Sequence, residues 1–146
     1  MLSPYIIAII AAWIIAQGAK YVIAVTKSGT LRNFRQLYVS GNMPSAHSAS
    51  VIALVIMVAG RDGIEGGLFA LTLLFAAIVM YDAMMVRRSS GEQGEALTQL
   101  LRNEKSAKSI RLPRVAKGHT PIEVAAGALL GLVVGLVVLM ISNINS

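Results

Sequence analysis

Four apolar blocks alternate with polar stretches along the 146 residues. Pro4 to Val25 is apolar except for Gln17, Gly18 and Lys20 near its end. Gly67 to Val86 carries Asp82 near its end, and Pro121 to Ile141 carries Glu123 near its start. Each matches the about 20 residues a helix needs to cross a bilayer core. Pro44 to Gly60 is shorter and crosses only if tightly packed, or else re-enters. Two polar stretches keep a helical repeat. Leu31, Phe34, Leu37 and Tyr38 recur at helical spacing within Thr30 to Tyr38, and Ala96, Leu97, Leu100 and Leu101 do so within Glu92 to Lys105. Both read as amphipathic helices lying at the membrane interface. The pattern predicts an all-α, polytopic membrane helical bundle with about four spans plus two short interfacial amphipathic helices. Residues 1–146 form a single integral-membrane domain on this reading. A cleaved signal peptide is not expected, because the first block lacks a basic leading region.

Composition narrows the class. Apolar side chains make up 55% of the chain and charged ones 14%, against roughly a quarter charged in soluble domains. An ordinary water-soluble enzyme, a disordered chain and a disulfide-stapled module are excluded. The chain has no cysteine, so a thiolate nucleophile and a cysteine-type zinc site are excluded too. Two histidines and seven acids are few materials for a metal cage, and neither metal nor other cofactor is expected.

The net charge of +6 sits between the apolar blocks. Lys27, Arg32 and Arg35 lie between the first and second. Arg87, Arg88, Arg102, Lys105, Lys108, Arg111, Arg114 and Lys117 lie between the third and fourth. The remaining loop has Arg61 against Asp62 and Glu65, and the tails have no Lys or Arg. The positive-inside rule puts both basic loops in the cytoplasm and both termini outside. The expected location is a bacterial cytoplasmic membrane. The basic loops read as contacts to anionic lipid headgroups, not to nucleic acid.

Polar groups inside spans are costly and each is a functional candidate. Here they gather at one end of every block: Gln17 and Lys20; Ser45, His47 and Ser48; Asp82, Arg87 and Arg88; His119, Thr120 and Glu123. All four ends fall on the predicted cytoplasmic side. Thr120-Pro121-Ile122-Glu123 has the form of an N-cap, a proline at the first helical position and a capping-box acid. Met43-Pro44-Ser45-Ala46-His47-Ser48 also has the form of a helix start. Two helix starts beside Lys20, Arg87 and Arg88 would make a phosphate site. Each residue also has a plainer reading. Glu123 caps its helix, the histidines are satisfied interfacial groups, the bases anchor span ends, and Asp82 pairs with an arginine. Independent anchors, however, have no need to share one end. Gly127, Gly131 and Gly135 form a small-residue stripe of the kind that allows close helix packing.

The motif Gly118-His119-Thr120-Pro121-Ile122-Glu123-Val124-Ala125-Ala126-Gly127-Ala128-Leu129-Leu130-Gly131 resembles the third signature of the type 2 phosphatidic acid phosphatase superfamily, which includes the vanadium-dependent haloperoxidases. Pro44-Ser45-Ala46-His47 resembles its second signature, P-S-G-H. The order M-P-S-x-H-S, D-A-x-x-V-R-R, G-H-T-P-x-E-V resembles a small divergent branch more closely still. Three departures stand out. Glu123 occupies the place of the family's aspartate. Lys20 is followed by Lys27 and Ser28 where the first signature has R-P. Pro113 and Arg114 stand near the place of its S-R pair.

The resemblance implies a metal-independent hydrolysis of a lipid phosphate or diphosphate, isoprenoid types included. His119 would become a phosphohistidine, with Glu123 holding its tautomer. His47 would protonate the leaving oxygen and then activate water. Lys20, Arg87, Arg88 and the N–H groups near Ser45 would hold the phosphoryl oxygens. The implied partners are membrane lipids and the phosphorylated lipid substrate. A homodimer is expected for so thin a bundle, with the glycine stripe as one contact. The alternative is a catalytically inactive lipid-phosphate-binding or assembly membrane protein. A transport path is less favoured, since it would want polar groups at the midplane.

Overall fold

A stripe of alanines at four-residue spacing runs along the first apolar block: Ala8, Ala12 and Ala16. Small side chains in that register let another helix approach closely. In the computed structural model, which describes residues 2–29, 43–103 and 118–144, all three are fully buried. They lie on α1 (Pro4–Ser28), which opens with a proline in its first turn and closes at Gly29. Gly29 has φ 66°, a left-handed conformation that glycine adopts without strain, and its N–H caps the carbonyl of Val25 at 2.9 Å. The next step of the alanine register is Lys20, and it too is buried.

The second block forms α2 (Ala46–Arg61), the shortest of the apolar helices. It sits at the centre of the bundle. One face carries Ala46, Ala49, Ala53 and Met57 against α1 and α5 (Pro121–Ile144). The other carries Val51 and Val55 against Ala76 of α3 (Gly67–Tyr81). At the far end, the Tyr5 hydroxyl donates to Asp62 Oδ2 at 2.6 Å, pinning the start of α1 to the end of α2.

The glycine stripe of α5 faces inward. A Cβ on Gly127 or Gly131 would fall on the backbone of Ser45 or Ala49 of α2, and one on Gly135 would meet Ile56 and Ala53. The stripe is thus used within the chain, and a second copy would have to use another face. Large apolar residues point outward instead, among them Leu71, Leu74 and Ile78 of α3 and Leu129, Val133 and Met140 of α5. Small residues inside and large ones outside is the arrangement of a bundle solvated by lipid. α1, α5 and the helix beginning at Gly67 are long and apolar enough to cross. The protein is an integral membrane protein.

The third block differs from expectation at its end. It runs on through a π-turn, Asp82–Val86, directly into α4 (Arg87–Asn103). The described part of the amphipathic segment, residues 92–103, is therefore helical but continues the third span; it is not a separate interfacial helix. At 1.5 Å per residue, the 35 residues of Gly67–Leu101 extend about 52 Å, well beyond a ~30 Å core. The other amphipathic segment, 30–38, and most of the basic loop after Arg102 lie outside the described residues.

Candidate functional site

The capping box read from Thr120 to Glu123 is formed. Glu123 N–H donates to Thr120 Oγ1 at 3.4 Å, and Thr120 N–H donates to Glu123 Oε2 at 2.9 Å. The same Oε2 stands 3.2 Å from His119 Nδ1. The cap and the carboxylate–imidazole pair are therefore one structure, and the two readings of Glu123 do not compete. With Nδ1–H donated to the carboxylate, the lone pair of His119 is left on Nε2. The side chain of His119 is 2% exposed. Burial pushes its pKa below the ordinary value, while the Glu123 hydrogen bond pulls the other way. The ring is thus neutral near pH 7.

The backbone of His119 is fixed by the π-turn. In an α-helix the Arg87 N–H would bond the Ala83 carbonyl. Here it bonds Asp82 O, one residue further back. The Ala83 carbonyl is released and accepts from His119 N–H at 2.9 Å. π-turns recur at functional sites because they free such groups. Gly118 lies so close to the backbone of Arg88 that a Cβ there would collide with it. Glycine is required for this crossing.

The second helix start lies alongside the first. Ser45 N–H donates to the Glu123 carbonyl at 3.0 Å, joining the start of α2 to the first turn of α5. Ser45 Oγ accepts from Ser48 N–H at 3.3 Å and Ser48 Oγ–H at 2.9 Å. The serine is fully buried. Both its polar groups are thus occupied in joining and capping. The open first-turn N–H groups are those of Ala46 and His47, one and two residues on.

Lys20 and His47 each lie fifteen residues from the Tyr5–Asp62 pin, on antiparallel helices, so they reach the same level. The charges confirm the clustering. Lys20 interacts with Glu123, and His47 lies in electrostatic range of Arg87, His119, Lys20 and Asp82. The two imidazoles therefore share one end of the bundle. Arg87 is held by Asp82, Nε to Oδ2 at 2.7 Å. Arg88 behaves differently: its side chain is largely exposed and pairs with Glu92 at 3.2 Å. Of the residues singled out in the sequence, the fold brings together Lys20, Ser45, His47, Arg87, His119 and Glu123; Arg88 meets them through its backbone under Gly118. Gly118 and Ala83 stand within the motifs quoted from the sequence, but the packing role of each was not anticipated. Among the described residues no group of three or more His, Asp or Glu is gathered as metal ligands would be.

Lipid-facing helices surround a buried histidine–carboxylate pair, so the chain is a helical membrane protein with its polar groups gathered at one end. Residues 2–134 match the model of the divergent PAP2 family, and the chain belongs to that family. It is also 40% identical over 113 residues to the uncharacterized membrane protein YuiD of Bacillus subtilis (strain 168), a match covering 67% of this chain and 70% of that protein. No solved structure gives a significant match.

Proposed function

We propose that the protein is a membrane phosphatase that hydrolyses a lipid phosphate or diphosphate through a phosphohistidine. The observation that carries this reading is the buried His119, its Nδ1 against Glu123 and its Nε2 left as the free nitrogen. Nε2 attacks phosphorus and forms the P–N bond as the bond to the leaving oxygen breaks. His47 gives its proton to that oxygen. Neutral His47 then takes a proton from water, whose oxygen displaces His119 and releases orthophosphate. Glu123 holds the tautomer and stabilises the imidazolium charge, as an acid does in a catalytic triad. Lys20, Arg87 and the first-turn N–H groups of α2 offset charge on the phosphoryl oxygens. The basic loops favour a site facing the cytoplasm.

One observation favours the alternative, a protein that binds lipid phosphate without turnover. Asp82 engages Arg87 and Glu92 engages Arg88, so two guanidinium groups already have anionic partners. The deciding experiment is phosphate release by detergent-purified protein from a panel of lipid phosphates and diphosphates, with chelator present, beside His119→Ala. Turnover that survives chelation and is lost in the variant supports the phosphohistidine route. Turnover equal in both would remove His119 as nucleophile.

A further inference from the structure

An open groove of about 670 Å³ runs between α1 and α5, lined only by apolar side chains. Ala11 and Ile15 form one wall, and α5 from Ala126 to Val138 forms the other. Its upper end approaches the site along both helices. Ala126 lies one helical turn below Glu123, and Ile15 lies just over one turn below Lys20. From Ala126 to Val138 the groove descends about 18 Å along α5. Large outward-pointing residues such as Leu129 and Val137 form its outer rim, while the alanines give it depth.

From this adjacency we infer that the groove seats the apolar chain of the lipid whose phosphate occupies the site, and that it seats one chain. The inference rests on the proposed function and extends it to the substrate's tail. An extended chain advances about 1.2 Å per bond, the backbone's ~3.6 Å over three bonds, so the groove accommodates about fifteen bonds. At the ~30 Å³ a water occupies in the liquid, fifteen methylenes fill about 450 Å³ and two such chains about 900 Å³. The groove holds the first and not the second. The favoured substrate class is a single-chain lipid phosphate or diphosphate, with the chain held along α1 and α5 and the phosphate at His119.

The test is a series of n-alkyl monophosphates of increasing length, with binding to the purified protein and phosphate release measured separately. Alkyl trimethylammonium salts of the same lengths control for partition into detergent. Two variants plug the groove from opposite walls at similar depth: Ala11→Phe, and Val133→Phe at an exposed position that folding tolerates. Wild type should gain affinity up to about fifteen bonds, and either plug should move that limit to about nine, the depth of position 133 below Ala126. At about sixteen carbons the loss should be roughly tenfold, far below the water-transfer value because the displaced chain returns to detergent. Binding without turnover, with the limit still moved by the plugs, would sustain the groove and remove the phosphatase. Binding that is independent of length, or a limit unmoved by both plugs, would overturn the groove and leave the phosphate site standing. Binding of no member would overturn both.

Discussion

Gly127→Ala tests the join between the two helix starts. The added Cβ would stand 3.0 Å from Ser45 N and 3.1 Å from its carbonyl carbon, and closer still to its oxygen. Ordinary contact begins at 3.4 Å, so α2 must retreat by more than about 0.4 Å. The obstacle is backbone, which cannot rotate away as a side chain can. Overpacking of this kind costs about 1–3 kcal/mol. Loss of the Ser45 N–H to Glu123 carbonyl bond adds about 1 kcal/mol. The better helix propensity of alanine returns about 1 kcal/mol. The net is a destabilisation of about 2 kcal/mol, or roughly 4–8 °C in Tm. Turnover should fall further than stability implies, because displacement of His47 relative to His119 by ~1 Å can cost about a hundredfold. Gly135→Ala is the comparison. Its Cβ meets chiefly the Ile56 side chain, at 2.9 Å, two turns further from the site. That variant should lose stability and keep most of its turnover per folded molecule. Thermal unfolding in detergent and phosphate release on the folded fraction read the two effects. An unchanged or raised Tm in Gly127→Ala would refute the close approach of α2 and α5. Equal losses of turnover in the two variants would refute the link to the site.

The other expectations concern single groups. Glu123→Gln keeps an acceptor for Thr120 N–H, so the cap should survive with a loss of at most about 1 kcal/mol, while turnover falls by about 10²–10⁴. The same variant removes the carboxylate charge that helps to raise the His119 pKa, so the acid limb of kcat/KM that reports His119 should move to lower pH. An acid limb that moves upward would contradict the pairing. For stability, burial lowers the folded-state pKa of His119 below its unfolded value. Its contribution is full above about pH 6.5 and is lost as pH falls through the folded value; Tm against pH for wild type and His119→Gln measures the difference. Asp82→Asn should change stability by under about 1 kcal/mol, because the pair with Arg87 is about a third exposed. A changed KM with the fold intact would show that the released guanidinium meets substrate. A cysteine introduced as Ser109→Cys into this cysteine-free chain should resist an impermeant reagent in intact cells; labelling from outside would reverse the orientation.

The spans, both helix starts and their shared end were legible because each has a local cause. Apolar length announces the crossing helices, and Thr120 to Glu123 announces its own cap. The alanine register of α1 even accounts for a buried lysine, since Lys20 continues the series of Ala8, Ala12 and Ala16. What could not be read depends on partners distant in sequence. The π-turn has no local signature, since its freed carbonyl is taken by an N–H thirty-six residues away. Nor does spacing tell Arg87 from Arg88. Adjacent on one helix, they diverge because the π-turn brings Asp82 beneath the first and the regular helix brings Glu92 beneath the second. The amphipathic repeat after Glu92 was real, but periodicity does not say whether a helix starts afresh or continues one already running.

The Tyr5–Asp62 pin also fixes a depth. Fifteen residues of helix above it reach about 22 Å, and Lys20 and His47 lie there. With the pin at one boundary of a ~30 Å hydrocarbon core, that level falls about 8 Å short of the other boundary. The histidines thus lie at the floor of a dip, with α1 and the α3–α4 helix rising past them. Either the bilayer thins around α2 or a phosphate must sink beneath its neighbours to arrive. On the proposed function, membrane thickness then becomes a control on the protein: a thinner bilayer would bring the headgroups down to His119, and a thicker one would raise them out of its reach.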